Sequence, residues 1–276
     1  MKTLFISDLD GTLLDTNAQI SEFTRNAINE LTAKGVFISV ATARTAATVI
    51  KMLKGTNINT PVMLMNGVCT YDLQKGVFTE VRAMSETAKH SLADIIHTYN
   101  LDGFLYTIDD NCQHTFYERV TSDVARNFIS EREKLYGKVF TKVDSFTDIL
   151  DRTFAYYSFC STPDKLDSAY DALSRIPELH TEYYRDIYNE NHWYLEVASA
   201  GSSKYNAVCS LRRSHGFERV VGFGDNLNDL ALFEGCDESY AVSNAKDKVK
   251  EAATGVILSN AEDAVVKKII EMTKEM

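Results

Sequence analysis

An apolar run near the start of the chain, Leu4-Phe5-Ile6, breaks into Ser7-Asp8-Leu9-Asp10-Gly11-Thr12, with two carboxylates and a glycine in quick succession. Such a run reads as a buried strand, since strands covered on both faces are apolar throughout rather than alternating. Residues i and i+2 of an extended chain face one side. Asp8 and Asp10 are therefore expected to project together from the strand's carboxyl end, where open α/β sheets place their ligands. Two carboxylates about 4 Å apart repel by roughly 4 kcal/mol at an effective dielectric of about 20, so a cation is expected between them. Asp and Gly also favour plain turns, and only the rest of the chain decides between the two readings.

The same rhythm recurs. Ser21 has the character of an N-cap, Phe23, Ala27, Ile28 and Leu31 repeat at helical spacing, and Gly35 ends the helix. Val36 to Ala41 is a second strand candidate running into Thr42-Ala43-Arg44, followed by a short helix with Val49, Ile50 and Leu53. Pro61 to Met65 is a third, ending in Asn66-Gly67. Strand and helix in alternation imply a parallel sheet with crossover helices.

From about Arg82 to Trp193 the pattern changes. Helical spacings over Ser85 to Tyr99, Ser122 to Tyr136 and Pro163 to Ile176 are interleaved with aromatic-rich strand candidates at Phe104 to Ile108, Phe154 to Phe159 and Thr181 to Tyr184. The first rhythm returns from Glu196. Gly201-Ser202-Ser203-Lys204 opens a helix, and Val220 to Gly224 forms a strand ending in Asp225-Asn226-Leu227-Asn228-Asp229. Tyr240 to Val242 and Val256 to Leu258 follow as short strands, and Glu262 to Met272 as a closing helix. The expected fold is α/β, a Rossmann-like parallel-sheet core (1–82 and 194–276) with an inserted α+β cap (83–193).

Composition narrows the partners. A net charge of -10 supplies no field to attract nucleic acid or an acidic membrane, so an anionic substrate must be held by local cations. Neither a signal-peptide profile nor an apolar run of membrane-spanning length is present, which makes the cytoplasm the expected compartment. A monomer or weak homodimer is the expected state, on no sequence signal of its own. The five cysteines are odd in number, widely spaced and without a CxxC pair, and are read as reduced structural thiols.

Polar clusters thus stand at the ends of the predicted elements: Asp8/Asp10, Thr42/Arg44, Lys204 and Asp225/Asn228/Asp229. In a parallel sheet these ends share one edge, so the clusters are expected to meet in one crevice, with Lys204 reaching it from a helix N-terminus. A lysine there opposes the helix dipole, while the backbone NH groups favour an anion, so both can address one phosphate. An all-oxygen donor set with open positions suits Mg²⁺. Carboxylates, a hydroxyl, a lysine and Mg²⁺ are the parts that phosphoryl transfer uses.

At these residues the chain resembles the haloacid dehalogenase-like phosphohydrolase superfamily, and within it the Cof-type branch with its class IIB cap. Asp8-Leu9-Asp10-Gly11-Thr12 is similar to motif one, Thr42 to motif two, Lys204 to motif three, and Gly224-Asp225-Asn226-Leu227-Asn228-Asp229 to motif four. Ala43 departs from the glycine common in motif two, and Ser203 precedes the lysine in a Gly-Ser-Ser-Lys turn. The resemblance implies a Mg²⁺-dependent phosphatase of small phosphorylated metabolites, with Asp8 as nucleophile and Asp10 as general acid and base. It implies Mg²⁺ on Asp8, the Asp10 carbonyl and Asp225, with Asp229 acting through water or through a hydrogen bond to one of the metal's ligands. Thr42, Lys204, Asn228 and the Leu9 and Ala43 NH groups would bind phosphoryl oxygens, and Arg44 and Asn66 would meet the leaving group. The cap would close over the ester and select its organic part, with Tyr184 to Trp193 as the expected specificity surface. Sugar phosphates lead as substrates, then pyridoxal phosphate or a flavin mononucleotide. A phosphomutase of the same superfamily and a non-catalytic phosphometabolite or Mg²⁺ sensor are the competing readings.

Overall fold

The computed structural model describes residues 1–185 and 191–274, which divide into two compact units. The first comprises Met1–Glu80 and the chain from Ser203 onward; the second is Val81–Ser202. No helix among the described residues is long and apolar enough to cross a membrane.

The first unit is built on a five-stranded parallel sheet in the order Gly255–Ile257, Glu238–Val242, Arg219–Gly224, Thr3–Ser7, Phe37–Val40. Thr3–Ser7 sits between two neighbours and is buried along its whole length, which is why its sequence is a continuous apolar run rather than an alternating one. The helix Glu22–Ala33 starts where Ser21 accepts a hydrogen bond from the Thr24 backbone NH, and it buries Thr24, Ala27, Ile28 and Leu31. Phe23, expected on the apolar face, instead lies outside at 49% exposure with the Lys267 ammonium 5.9 Å from its ring centre. The third expected core strand, Val62–Leu64, meets the parallel sheet only through a bridge between Ala41 and Met63. Its main pairing is antiparallel with Cys69–Asp72, in a separate three-stranded sheet completed by Val77–Val81.

The second unit is a six-stranded sheet in the order Leu179–Arg185, Trp193–Ser199, Phe154–Ser161, Phe104–Asp109, Cys112–Tyr117, Phe140–Lys142. Trp193–Ser199 pairs antiparallel with strands on both sides, so the chain leaves this unit after Ser202 rather than at 193 as the sequence pattern indicated. Leu105, Tyr157, Phe159, Leu195 and Val197 alternate onto one face and form a core with Leu92 and Ile96 of the helix Glu86–Thr98 and Leu166 and Leu173 of the helix Pro163–Leu173. The opposite face carries the intervening residues, among them Tyr106, Tyr156, Tyr194 and Glu196. The helix Asp123–Tyr136 meets that face at Phe104, whose ring stacks on Phe128 with centroids 4.9 Å apart. Of the expected specificity stretch, residues 186–190 lie outside the described residues.

Candidate active site

The strand Thr3–Ser7 delivers Asp8 to the sheet edge, and the Asp8 NH still donates to the Phe223 carbonyl at 2.9 Å. The chain then turns. Gly11 lies at φ 75°, in the left-handed region, and a Cβ there would fall 2.6 Å from Asp225 Oδ2. The turn separates the two carboxylates that an unbroken strand would have kept together: Asp8 is buried and Asp10 is exposed. Each has its own cation, rather than one shared between them. Asp8 Oδ1 accepts from Lys204 Nζ at 2.7 Å, and Asp10 is gripped by Arg44.

Lys204 is the first residue of the helix Lys204–His215, whose cap Ser203 accepts from the Asn206 NH. From there its side chain runs inward, 1% exposed, and Nζ donates to both Asp8 Oδ1 and Asp229 Oδ1 at 2.7 Å. Burial alone favours the neutral amine, but Asp229 and Asp8 outweigh it and hold the ammonium above the ordinary lysine range. The other oxygen of Asp229 accepts from the backbone NH groups of Asp225 and Asn226, at 2.9 and 3.0 Å. Asp229 is thus committed to holding Lys204 and the loop.

Asp225 follows the strand Arg219–Gly224 and accepts from the Thr12 hydroxyl at 2.8 Å. One ligand atom from each of Asp8, Asp225 and Asp229 lies within 4.8 Å of the others. With one ammonium among three carboxylates, the cluster is short of positive charge. Desolvation raises Asp8 well above the carboxylate range, with Asp229 and Asp225 adding to the effect and Lys204 opposing it. Desolvation, with help from Asp229, takes Asp225 up to about 6. The donor chemistry fits a hard divalent cation: oxygen ligands, excess negative charge, and carboxylates whose ionised forms a cation would favour.

Beside this cluster, the edge after Phe37–Val40 is pinned by hydrogen bonds from Ala41 NH to Ser7 O and from Thr42 NH to Met63 O. Thr42 is buried, and its hydroxyl accepts from the Arg44 NH at 3.2 Å. Ala43, next in the chain, is exposed. Met65 and Asn66 both have left-handed φ, 49° and 53°, and bind back through their NH groups to the Arg44 and Thr42 carbonyls. Gly67 then presses so closely on Ser203 that a Cβ would lie 2.2 Å from its carbonyl oxygen, which ties this loop to the start of the Lys204 helix. Asn66 Oδ1 accepts from Asn228 Nδ2 at 3.2 Å.

The sequence-selected residues therefore fall into three contacts: Asp8, Lys204, Asp225 and Asp229 together; Asp10 with Arg44; Asn66 with Asn228. Leu9 is buried in the turn that joins the first two. Sequence reasoning gave no role to Thr12, to Asn226, which caps the Leu227–Asp229 turn, or to Asn244, which donates to the Gly11 carbonyl at 2.8 Å. The Asn226 cap was detectable from its Asn-x-x-Asp spacing. Asn244 carried no local signal, because its partner is 233 residues away.

A family model described as haloacid dehalogenase-like hydrolase matches residues 5–269. Among curated proteins, the chain is 26% identical to the pyridoxal phosphate phosphatase YbhA of Escherichia coli (strain K12), covering 94% of each chain. It is also 26% identical to the 5-amino-6-(5-phospho-D-ribitylamino)uracil phosphatase YwtE of Bacillus subtilis (strain 168), covering 96% of each. Among solved structures, it superposes on that of the subclass IIB sugar phosphatase BT4131 with a TM-score of 0.72 at 19% identity, covering 99% of both, a likeness of fold.

Proposed function

Because the chain belongs to the haloacid dehalogenase-like hydrolase family, in its Cof-type branch, and is therefore a phosphoric monoester hydrolase, we propose that Asp8 is its nucleophile and Mg²⁺ its cofactor. The observation that carries this reading is the pair of 2.7 Å bonds from buried Lys204 to Asp8 and Asp229, with Asp225 completing an oxygen cluster at the end of the central strand.

Asp8 attacks phosphorus in line and forms an aspartyl-phosphate as the alkoxide leaves, splitting one displacement into two. Asp10, at the exposed rim, donates a proton to that alkoxide and later takes one from the water that hydrolyses the intermediate. Lys204, Thr42, Asn228 and the Leu9 and Ala43 NH groups hold the phosphoryl oxygens, and Arg44 and Asn66 lie on the leaving-group side. Asp8, the Asp10 carbonyl and Asp225 would hold Mg²⁺, with Asp229 supporting them through Lys204 and the loop. When bound, the ion supplies positive charge that favours ionised Asp8 and offsets charge on the transferring group.

For substrate we favour small phosphorylated metabolites, with sugar phosphates first. Pyridoxal phosphate follows, on which YbhA is named as acting, and then flavin mononucleotide. Phosphate release from a panel of these esters, ranked by kcat/KM, tests the order. Asp8→Asn should lose on the order of a thousandfold or more in hydrolysis of p-nitrophenyl phosphate, and excess EDTA should silence the wild type until Mg²⁺ is returned. Undiminished turnover by Asp8→Asn would rule out the nucleophile, and turnover unaffected by EDTA would rule out the metal.

A further inference from the structure

The turn that carries Asp10 is held from outside by two asparagines. Within the turn, the Leu13 NH donates to the Asp8 carbonyl at 3.3 Å and the Leu14 NH to the Leu9 carbonyl at 2.9 Å. Both bonds arch over Asp10 and Gly11, the two residues whose φ and ψ leave the helical range, at -74° and 121° for Asp10 and 75° and 0° for Gly11. Asn244 Nδ2 donates to the Gly11 carbonyl at 2.8 Å, and Asn260 Nδ2 to the Leu14 carbonyl at 2.9 Å. The Asn260 NH donates in turn to Asn244 Oδ1 at 3.0 Å, so both ends of the Asn244 amide are used and only one orientation of it satisfies both partners.

Asn244 stands on firm support. It lies in the loop after the strand Glu238–Val242, where the next residue, Ala245, is buried and donates through its NH to the Val242 carbonyl at 2.9 Å. One residue further, the Lys246 NH donates to the Asp225 carbonyl, also at 2.9 Å. A single loop therefore grips the Asp10 turn through a side chain and the Asp225 segment through its backbone. Asn244 is exposed, and water replaces an exposed hydrogen bond at little net cost, so its contribution is to orientation rather than to stability. Orientation counts here because a reacting group displaced by about 1 Å can cost on the order of a hundredfold in rate. Arg44 orients the Asp10 carboxylate from the rim, but that contact leaves the peptide behind it to be fixed by other groups.

We propose that Asn244, braced by Asn260, is a positioning residue: it fixes the Gly11 peptide and so holds Asp10 where it protonates the departing oxygen. This role rests on Asp10 being the general acid. It extends the site to two loops that carry none of the motif residues, those after Glu238–Val242 and Gly255–Ile257.

Leaving-group dependence separates a displaced acid from a weakened fold. p-Nitrophenolate leaves unaided, whereas the oxygens of phenyl and benzyl phosphate depart far better with a proton. The ratio kcat/KM covers the steps through that departure, so the later role of Asp10 as base does not enter. Asn244→Ala should lower kcat/KM by about tenfold more on phenyl and benzyl phosphate than on p-nitrophenyl phosphate. Asp10→Asn is the benchmark, with a loss about a hundredfold greater on the first two esters than on the third. Equal losses on all three esters in Asn244→Ala, or no loss, would overturn the proposal while Asp10→Asn stays selective. Equal losses in Asp10→Asn would overturn the acid assignment, and the positioning role with it. If Asn244→Ala fails to fold by circular dichroism, Asn260→Ala frees the same turn at Leu14 and is read in the same way: a selective loss supports the positioning role, and a uniform loss or none overturns it.

Discussion

Arg44 grips the Asp10 carboxylate at both oxygens, Nε to Oδ2 and Nη2 to Oδ1, each at 2.6 Å. The two charges meet at the rim, with side-chain exposures of 23% and 46%, so the pair adds little to stability; its effect is to orient a carboxylate that the turn at Gly11 has swung away from Asp8. Arg44→Ala is therefore expected to lower kcat by about tenfold, in keeping with a misplaced acid and base, with KM little changed. A rise in KM at unchanged kcat would instead assign Arg44 to substrate binding.

Lys204 is the cation paired with both buried Asp8 and buried Asp229 among the described residues. Lys204→Met should destabilise the fold by about 3 kcal/mol in urea titrations without metal, because it strands buried carboxylates. Mg²⁺ should restore part of that loss and raise the variant's midpoint more than the wild type's. Equal Mg²⁺ shifts in both proteins would argue against a metal at this cluster.

Gly11 combines a left-handed φ of 75° with Asp225 Oδ2 only 2.6 Å from where a Cβ would stand. Gly11→Ala should cost about 1 kcal/mol or more in stability from the backbone alone. Activity should suffer further, by about tenfold or more, since displacing Asp225 moves a charge that must be placed to a fraction of an ångström. Comparable small losses in both assays would mean the loop absorbs the methyl without moving Asp225.

Glu196 gives a pH signature. Desolvation, reinforced by Glu182 and partly offset by the Tyr156 and Tyr184 hydroxyls, raises it from 4.5 to about 7. Between those values the folded chain binds more protons than the unfolded one, so this group's contribution to stability falls as pH rises through the window and is level above it. The fall amounts to about 3 kcal/mol at most. Glu196→Gln should remove that slope, as read from the difference between the two stability curves from pH 4 to 8, which cancels His180, itself raised first by its bond to Glu182. Parallel curves would show that Glu196 titrates normally.

Legibility followed the range of the causes. The buried strands Thr3–Ser7 and Arg219–Gly224 and the Ser21 cap were readable because a strand's apolar run and a cap's hydroxyl are local properties. Cys112–Tyr117 was missed because its residues are mostly polar; the turn before it, Asp110-Asn111 with φ 49° and 62°, was the available hairpin signal. Phe23 was misplaced because helical spacing does not say where the rim of a buried face lies, and Trp193–Ser199 was given to the wrong unit because pairing with distant strands has no signature in its own sequence.

The sequence by itself determined the repertoire: apolar strands ending in Asp8 and Asp225, a lysine at a helix start, and the motifs that place the chain in its family. Only the tertiary structure decided how these charges are shared. Asp8 and Asp10 are two residues apart, yet one is buried against Lys204 and the other held at the rim by Arg44, because a glycine turn ends the strand between them and a helix 196 residues away supplies the ammonium. Which carboxylate keeps its proton, and which cation answers it, depends on desolvation and on neighbours distant in the chain, and both exist only once the chain has folded.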